Sequence, residues 1–368
     1  LLLSGLRAVD VDVRECHREV WPGIEDKSRL GLFGWIVRGI RWIGAYPGLV
    51  FRYVRLPAHD VVVVPYMGQL DVLVLWLFAR MRGVPVVWDV FLSLYDTVVR
   101  DRRLISARSP GAWFLYAWEW LACRAADKLF MDTQAHARYL EQLFGLRGET
   151  VGCVWVGAEQ LFFEPPPKSP LPPPPGDSVF TVLFYGQFIP LHGIETIVRA
   201  AATVQDESTR FRWILIGRGQ EAPRIDGLIG ELGLSCVERV PWVPYKELPA
   251  WIAAADVCLG IFGTTAKAQR VIPNKVYQIL AAGKPLITAD TPAMRELVRP
   301  SEGVCLVPPG DENALGEAVQ DMLPLINKKR RRSVTQPTVD VGGVAEQLRA
   351  LLDGGAGKHS NGGGSRDE

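Results

Sequence analysis

Val271-Ile272-Pro273-Asn274-Lys275-Val276-Tyr277-Gln278-Ile279-Leu280-Ala281-Ala282-Gly283-Lys284-Pro285 is the stretch on which the reading of the whole chain turns. Pro273 stops a loop, Asn274 is a good N-cap, and Lys275 to Ala282 follow as a helical run. Gly283 fits the left-handed position after a helix, and Lys284-Pro285 leads into the apolar strand Leu286-Ile287-Thr288. A helix N-terminus offers unpaired N–H groups and about half a positive charge, which suits a phosphate. Here the first helical residue adds an ammonium. The segment reads as a diphosphate seat, the alternative being an ordinary capped helix between two strands.

Outward from this segment the apolar pattern alternates. Phe180 to Tyr185 is a strand, Gly186 to Gly193 a loop and Ile194 to Val204 an amphipathic helix, and the strand Trp213 to Gly217 runs into Arg218-Gly219. Val237 to Val240 and Val257 to Ile261 are further strands, Leu248 to Ala254 and Glu312 to Leu323 further helices. Residues 165–177 are Pro-rich and form a stiff connector. Ahead of it the alternation runs through Asp60–Val64, Leu70–Met81, Val84–Val90, Trp113–Arg124, Ala126–Met131 and Val154–Val156. Asp132 and Thr133 read as capping residues, with His136 incidental. Such β-α-β order predicts right-handed parallel crossovers. The fold class is therefore α/β. Residues 1–164 and 178–325 are two domains, followed by a basic loop at 326–340, a closing helix at 341–353 and a Gly- and Ser-rich tail at 354–368 expected to be disordered. Leu1 to Leu6 reads as the end of a helix, followed by a possible strand Val11–Arg14; an opening strand and its loop are expected to be missing ahead of it.

Composition narrows the function. With 41 basic and 40 acidic residues the chain is not a general nucleic-acid binder. The six cysteines are scattered with no C-x-x-C spacing, which points to a reduced, cytoplasmic setting and no cysteine-built metal site. No uncharged apolar run of about 18 residues is present, so no spanning helix is expected. Arg29 to Arg55, however, holds five arginines and no acidic residue among Trp35, Ile36, Ile40, Trp42 and Ile43. Such a segment suits an anionic membrane surface, peripheral at the inner face of the cell membrane; the alternative is a buried helix whose arginines snorkel outward.

The second half resembles the C-terminal domain of the retaining group 1 (family four) glycosyltransferases, on five stretches in order. These are Phe184 to Gly193, Leu215 to Gly219, Val240 to Val243, Pro273 to Pro285 and Val307 to Asp311. In the first half, Asp127-Lys128, Val156 to Glu159 and Ser93 to Thr97 are similar to segments of that family. The resemblance implies the GT-B architecture, two Rossmann-like parallel-sheet domains facing across a cleft, with the nucleotide sugar on the C-terminal domain. It implies metal-independent transfer of a sugar from a nucleotide-diphosphate sugar to a lipid-linked or cell-envelope glycan acceptor, with no further cofactor.

Carried onto this chain, the implied donor site comprises Gly186, Gln187, His192, Arg218, Trp242, Val243, Asn274, Lys275 and Gln278. Gln187 and His192 stand where the family has an Arg and a Lys, and Arg270 and Gln278 where it has two Glu. Arg270, Lys275 and Arg218 are then the relocated cations that would meet a diphosphate, and Gln278 would bond ribose hydroxyls. Asp89 and Arg270 are the candidate catalytic groups. Ser93, Tyr95, Asp96 and Thr97, beyond the carboxyl end of a strand, are the acceptor-side candidates, with a locally bonded turn as the alternative. The departures from the family pattern also support a second reading, a catalytically inactive relative that binds nucleotide sugar or partners an active enzyme. A dinucleotide-dependent dehydrogenase is disfavoured, because no G-x-G-x-x-G follows a strand.

Overall fold

The computed structural model describes residues 1–18, 32–165, 179–204, 211–301, 303–327 and 338–353, with side chains of 32–38 and 324–327 left aside. The Pro-rich connector from residue 166, the basic run Lys328–Arg332 and the tail from residue 354 lie outside these residues. The chain divides into two compact units, residues 10–130, and residues 1–9 together with 131–368.

In residues 10–130 the order is α2 (Leu32–Val54), β1 (Val62–Val64), α3 (Gln69–Met81), β2 (Val86–Asp89), α4 (Pro110–Ala125) and β3 (Lys128–Met131). The strands pair in parallel, Val62 opposite Val86 and Val87 opposite Lys128. With β4 (Val151–Cys153) they form a sheet of order β1-β2-β3-β4. Val86, Val87 and Trp88 are buried, as a strand covered on both faces requires. Ser109 starts α4 by accepting from the Ala112 N–H, with Pro110 at the first helical position. Val11–Arg14, expected as a strand, carries no regular structure. The expected strand Val154–Val156 starts earlier: Val151–Cys153 is the strand. At Trp155 the backbone N–H turns away to the Gln347 side chain of the closing helix, which ends the ladder.

In the other unit, α1 (Leu2–Ala8) and α5 (Gln134–Phe144) accompany a sheet of β5 (Phe180–Tyr185), β6 (Phe211–Ile216), β7 (Val237–Val240), β8 (Val257–Leu259), β9 (Leu286–Ala289) and β10 (Val304–Val307). Its helices are α6 (Ile194–Thr203), α7 (Ala222–Glu231), α8 (Leu248–Ala254), α9 (Asn274–Ala281), α10 (Met294–Leu297), α11 (Glu312–Asn327) and α12 (Val341–Asp353). The strand order is β10-β9-β8-β5-β6-β7, and every recorded pairing is parallel. Phe184, Trp213, Ile197, Leu259 and Ile287 sit in one continuous core beneath α6 and α11. Burying such side chains stabilises by about 1.5–3 kcal/mol each.

The chain winds from β5 out to β7, then returns to β8 on the other side of β5 and winds outward again. The order of the sheet therefore reverses between β5 and β8, and ligands of open α/β sheets bind outside the carboxyl ends of strands at such a point.

The division at residue 131, well before the connector, has visible causes. Both carboxylate oxygens of Glu296 on α10 accept the first amides of α5, from Gln134 at 2.8 Å and Ala135 at 2.7 Å. Thr133 caps α5 through His136 N–H and donates its own hydroxyl to the Arg270 carbonyl. Asp132, expected as a cap, instead accepts from the His136 ring at 2.8 Å, so His136 is not incidental. The α12 helix packs on α1, and Val339, two residues ahead of α12, accepts from Ala158 N–H.

Candidate functional site

The site is built where β5 and β8 end. Gly186 follows β5 at φ +145°, and a Cβ there would come within 2.8 Å of the Lys275 Nζ and 3.1 Å of the His192 ring. The positive φ favours a glycine, and a side chain there would displace the Lys275 ammonium. The loop it opens is tied to its neighbours through backbone bonds. Phe188 N–H donates to the Arg218 carbonyl after β6 at 3.0 Å, and Phe262 N–H after β8 donates to the His192 carbonyl at 3.0 Å. Two helices start at this edge with no side-chain cap, α6 behind Gly193 and α9 behind Pro273. Asn274, expected as the N-cap of α9, is its first helical residue and stands exposed; Pro273 holds the cap position at φ −69°. Uncapped amides and the helix dipole make both termini favourable for an anion.

Lys275 differs most from expectation. It is not an exposed cation: only 5% of it is accessible, and its Nζ lies beneath Gly186, 3.9 Å from the Phe184 ring centre. The ammonium has no hydrogen-bond partner among the described residues. Burial holds its pKa well below the ordinary lysine value. A ring face contributes ~2 kcal/mol to a desolvated cation, whereas burying an unpaired charge costs several, so burial wins.

His192, at the position where the resemblance has a Lys, carries no charge toward the loop. It is buried, and its Nδ1 donates to the Gln187 carbonyl, leaving Nε2 as an acceptor that a phosphate cannot use. Burial, reinforced by nearby Lys275, pushes its pKa down to about 3.

Gln278 is likewise committed within the protein. Its Oε1 accepts from the Tyr185 hydroxyl and its Nε2 donates to the Tyr245 oxygen, each at 3.0 Å. Tyr245 is in turn hydrogen-bonded to Glu159. With Tyr245 donating to Glu159, its oxygen needs a donor, and an amide supplies one where a carboxylate cannot. Gln278→Glu is accordingly expected to lower stability by about 1–3 kcal/mol. An unchanged denaturant midpoint would reject the assigned bond directions.

Arg270 lies half-buried with its guanidinium 3.3 Å over the Tyr139 ring of α5. Gln187, Arg218 and Trp242 stand exposed at the ends of β5, β6 and β7, with Val243 half-buried behind them. Of the nominated donor residues, the structure joins Gly186, His192 and Lys275 directly, and Gln278 through Tyr185, which also reaches the Lys275 carbonyl.

Within residues 10–130, Asp89 ends β2 and is half-buried, its backbone opposite Phe130. The acceptor-side candidates are turned inward. Ser93, Asp96 and Thr97 are buried, and Thr97 Oγ1 donates to the Ser93 carbonyl at 2.8 Å. The organiser is Glu119 of α4, which the sequence did not nominate. Its carboxylate accepts from Ser93 Oγ at 2.8 Å, Leu94 and Tyr95 N–H at 2.9 Å each, and Gln69 Nε2 at 3.3 Å. Ser93, Asp96 and Thr97 thus shape a turn, and Tyr95, half-buried against Tyr116, is the member left accessible. The signal for Glu119 was a lone acid in an aromatic helix. A cavity of about 730 Å³ also lies in this unit, lined by His17, Trp42, Tyr46, Tyr53 and Asp71 and by none of the nominated residues.

A doubly wound parallel sheet whose switch point is flanked by two uncapped helix N-termini is a Rossmann-like arrangement, and with a second parallel sheet in the same chain it matches the GT-B fold class. Residues 179–324 match the family model described as glycosyl transferases group 1. Two curated relatives are named D-inositol 3-phosphate glycosyltransferase. That of Thermobispora bispora is 27% identical over 268 residues, 67% of this chain and 59% of the relative. That of Streptosporangium roseum is 26% identical over 296 residues, 74% of this chain and 62% of the relative. The chain thus spans about three-fifths of the length of these relatives. Among solved structures, Anabaena Alr3699/HepE in complex with UDP superposes with a TM-score of 0.60 at 17% identity, covering 85% of this chain and 84% of that one. Sucrose-phosphate synthase from Thermosynechococcus elongatus does so at 0.60 and 20%, covering 88% and 76%. At such identities these likenesses establish the fold alone.

Proposed function

We propose that the protein is a retaining, metal-independent glycosyltransferase that moves a sugar from a nucleotide-diphosphate sugar to a lipid-linked or cell-envelope glycan acceptor. The observation that carries this reading is the group 1 match laid over the β5/β8 switch point with its two uncapped helices. Amides of α6 and α9 would hold the diphosphate, and Lys275 would act from beneath Gly186, across a backbone with no side chain in between. Across ~6 Å at an effective dielectric of ~20, a unit charge pair is worth about 3 kcal/mol. Stabilising the departing diphosphate in this way lowers the barrier without a side-chain nucleophile. Asp89 and Arg270 are the residues proposed to touch sugar or acceptor. The segment Arg29–Arg55, whose described part is α2, is proposed to meet an anionic membrane at the inner face of the cell membrane.

Gln278 spent on two tyrosines and a neutral His192 favour a second reading, an inactive relative that binds nucleotide sugar. Titration of UDP- and GDP-sugars by calorimetry, with transfer to lipid-linked acceptors assayed in parallel, separates the two. Binding with turnover is expected; binding without turnover on any acceptor selects the second reading, and no binding rejects both.

A further inference from the structure

Helix α4 reverses the usual amphipathic rule. Ala112, Glu119, Ala122 and Cys123 face inward, while Trp113, Phe114, Trp120 and Leu121, spaced i, i+1, i+7 and i+8, face outward. Trp113 is 73% exposed and Phe114, whose ring lies 5.9 Å from that of Trp118, is 60% exposed. Arg124 continues the stripe, its guanidinium 3.8 Å above the Trp120 ring. The neighbouring helices extend the pattern. α3, packed on α4, exposes Trp76, Leu77 and Met81, and α2, linked to α4 through Trp42 and Trp118 at 6.5 Å, exposes Ile40, Ile43 and Phe51. Apolar residues scattered singly over a surface need no explanation; exposed apolar clusters on three helices in contact mark an interaction face.

Charge decides what covers it. Glu119, the only acid within α4, is buried and points into the turn at Ser93–Tyr95. Exposed Arg102, Arg103 and Arg108 precede the helix, Arg124 ends it, and Asp101 is the only acid between residues 97 and 118. Aromatic rings bordered by guanidinium groups, with almost no exposed carboxylate, fit a layer of anionic headgroups over acyl chains. A second copy of this face would instead oppose like charges.

We propose that α4, with the exposed edges of α2 and α3, rests in the interface of an anionic bilayer. This adopts the membrane setting proposed above but adds α3 and α4, outside Arg29–Arg55, as its main contact, and it requires no glycosyl transfer. The double variant Trp113→Ser/Phe114→Ser leaves the buried face of α4 untouched. The full chain is expected to sediment with phosphatidylglycerol-containing vesicles and not with pure phosphatidylcholine. The variant should lose roughly tenfold or more of that partition, with tryptophan emission no longer shifting to the blue on mixing. Ile40→Ser/Ile43→Ser reads the α2 contribution separately. Equal vesicle binding by wild type and the Trp113/Phe114 variant would overturn the proposal. So would a dimer in sedimentation equilibrium that this variant converts to monomer. Calorimetric nucleotide-sugar binding, expected to be unaltered in both variants, keeps the failure of this proposal distinct from failure of the transferase reading.

Discussion

Replacing Lys275 with Met should weaken nucleoside-diphosphate binding on the order of 10- to 100-fold, the 1–3 kcal/mol range of a contact to a charged group, while making the unliganded protein more stable. The two effects share one cause. A buried ammonium without a partner costs free energy in the empty protein, and an anion settling over Gly186 would relieve that cost. The sign of the pH dependence follows. Because the folded-state pKa lies below the ordinary 10.5, the unfolded chain holds the proton more tightly, and folding releases it between the two values. Stability should therefore rise with pH between the two values in the wild type, and the variant should lack this slope. A bound diphosphate reverses the shift, so binding should take up a proton and weaken as pH rises. Calorimetry in two buffers of different ionisation enthalpy measures the uptake directly. No proton uptake, together with unchanged affinity in the Met variant, would remove Lys275 from the site.

The second large effect is expected at Glu119. Glu119→Ala would strip four donors of their acceptor: the hydroxyl of Ser93, the amides of Leu94 and Tyr95, and the Gln69 side chain. Each unsatisfied buried donor costs ~1–3 kcal/mol, and partial relaxation makes a total loss of about 3–5 kcal/mol the expected result. Glu119→Gln should recover little, because an amide nitrogen would then face donors. A denaturant midpoint displaced by less than about 1 kcal/mol in the Ala variant would show that the turn at Ser93–Thr97 is held by other means.

Much of this architecture was legible in advance. Continuous apolar runs such as Val61–Val64 and Phe180–Tyr185 read as strands of a parallel sheet, the second buried along its whole length, and their alternation with helices leaves few topologies. The site was legible as positions and not as orientations. Gly186, His192, Lys275 and Gln278 do come together, yet three of them are turned into the protein. A signal existed for Lys275: Val276, Tyr277, Ile279 and Leu280 surround it, and a helix apolar on every side is a buried helix. For Ser93 there was none, since its acceptor Glu119 lies 26 residues away and a local pattern does not report such a partner. Where residues 131–158 belong was hidden for the same reason. Glu296 accepts amides 161 and 162 residues away.

The closing helix α12 has a consequence for anyone dissecting the protein. Leu351 fills the space above Gly152, Gln347 takes the Trp155 amide, and Val341 lies against Gly5. A fragment begun at residue 179 would retain every strand of the six-stranded sheet yet leave α12 without these counterparts. Recombinant isolation of this unit should thus be attempted with residues 1–9 and 131–165 supplied, in cis or as complementing peptides.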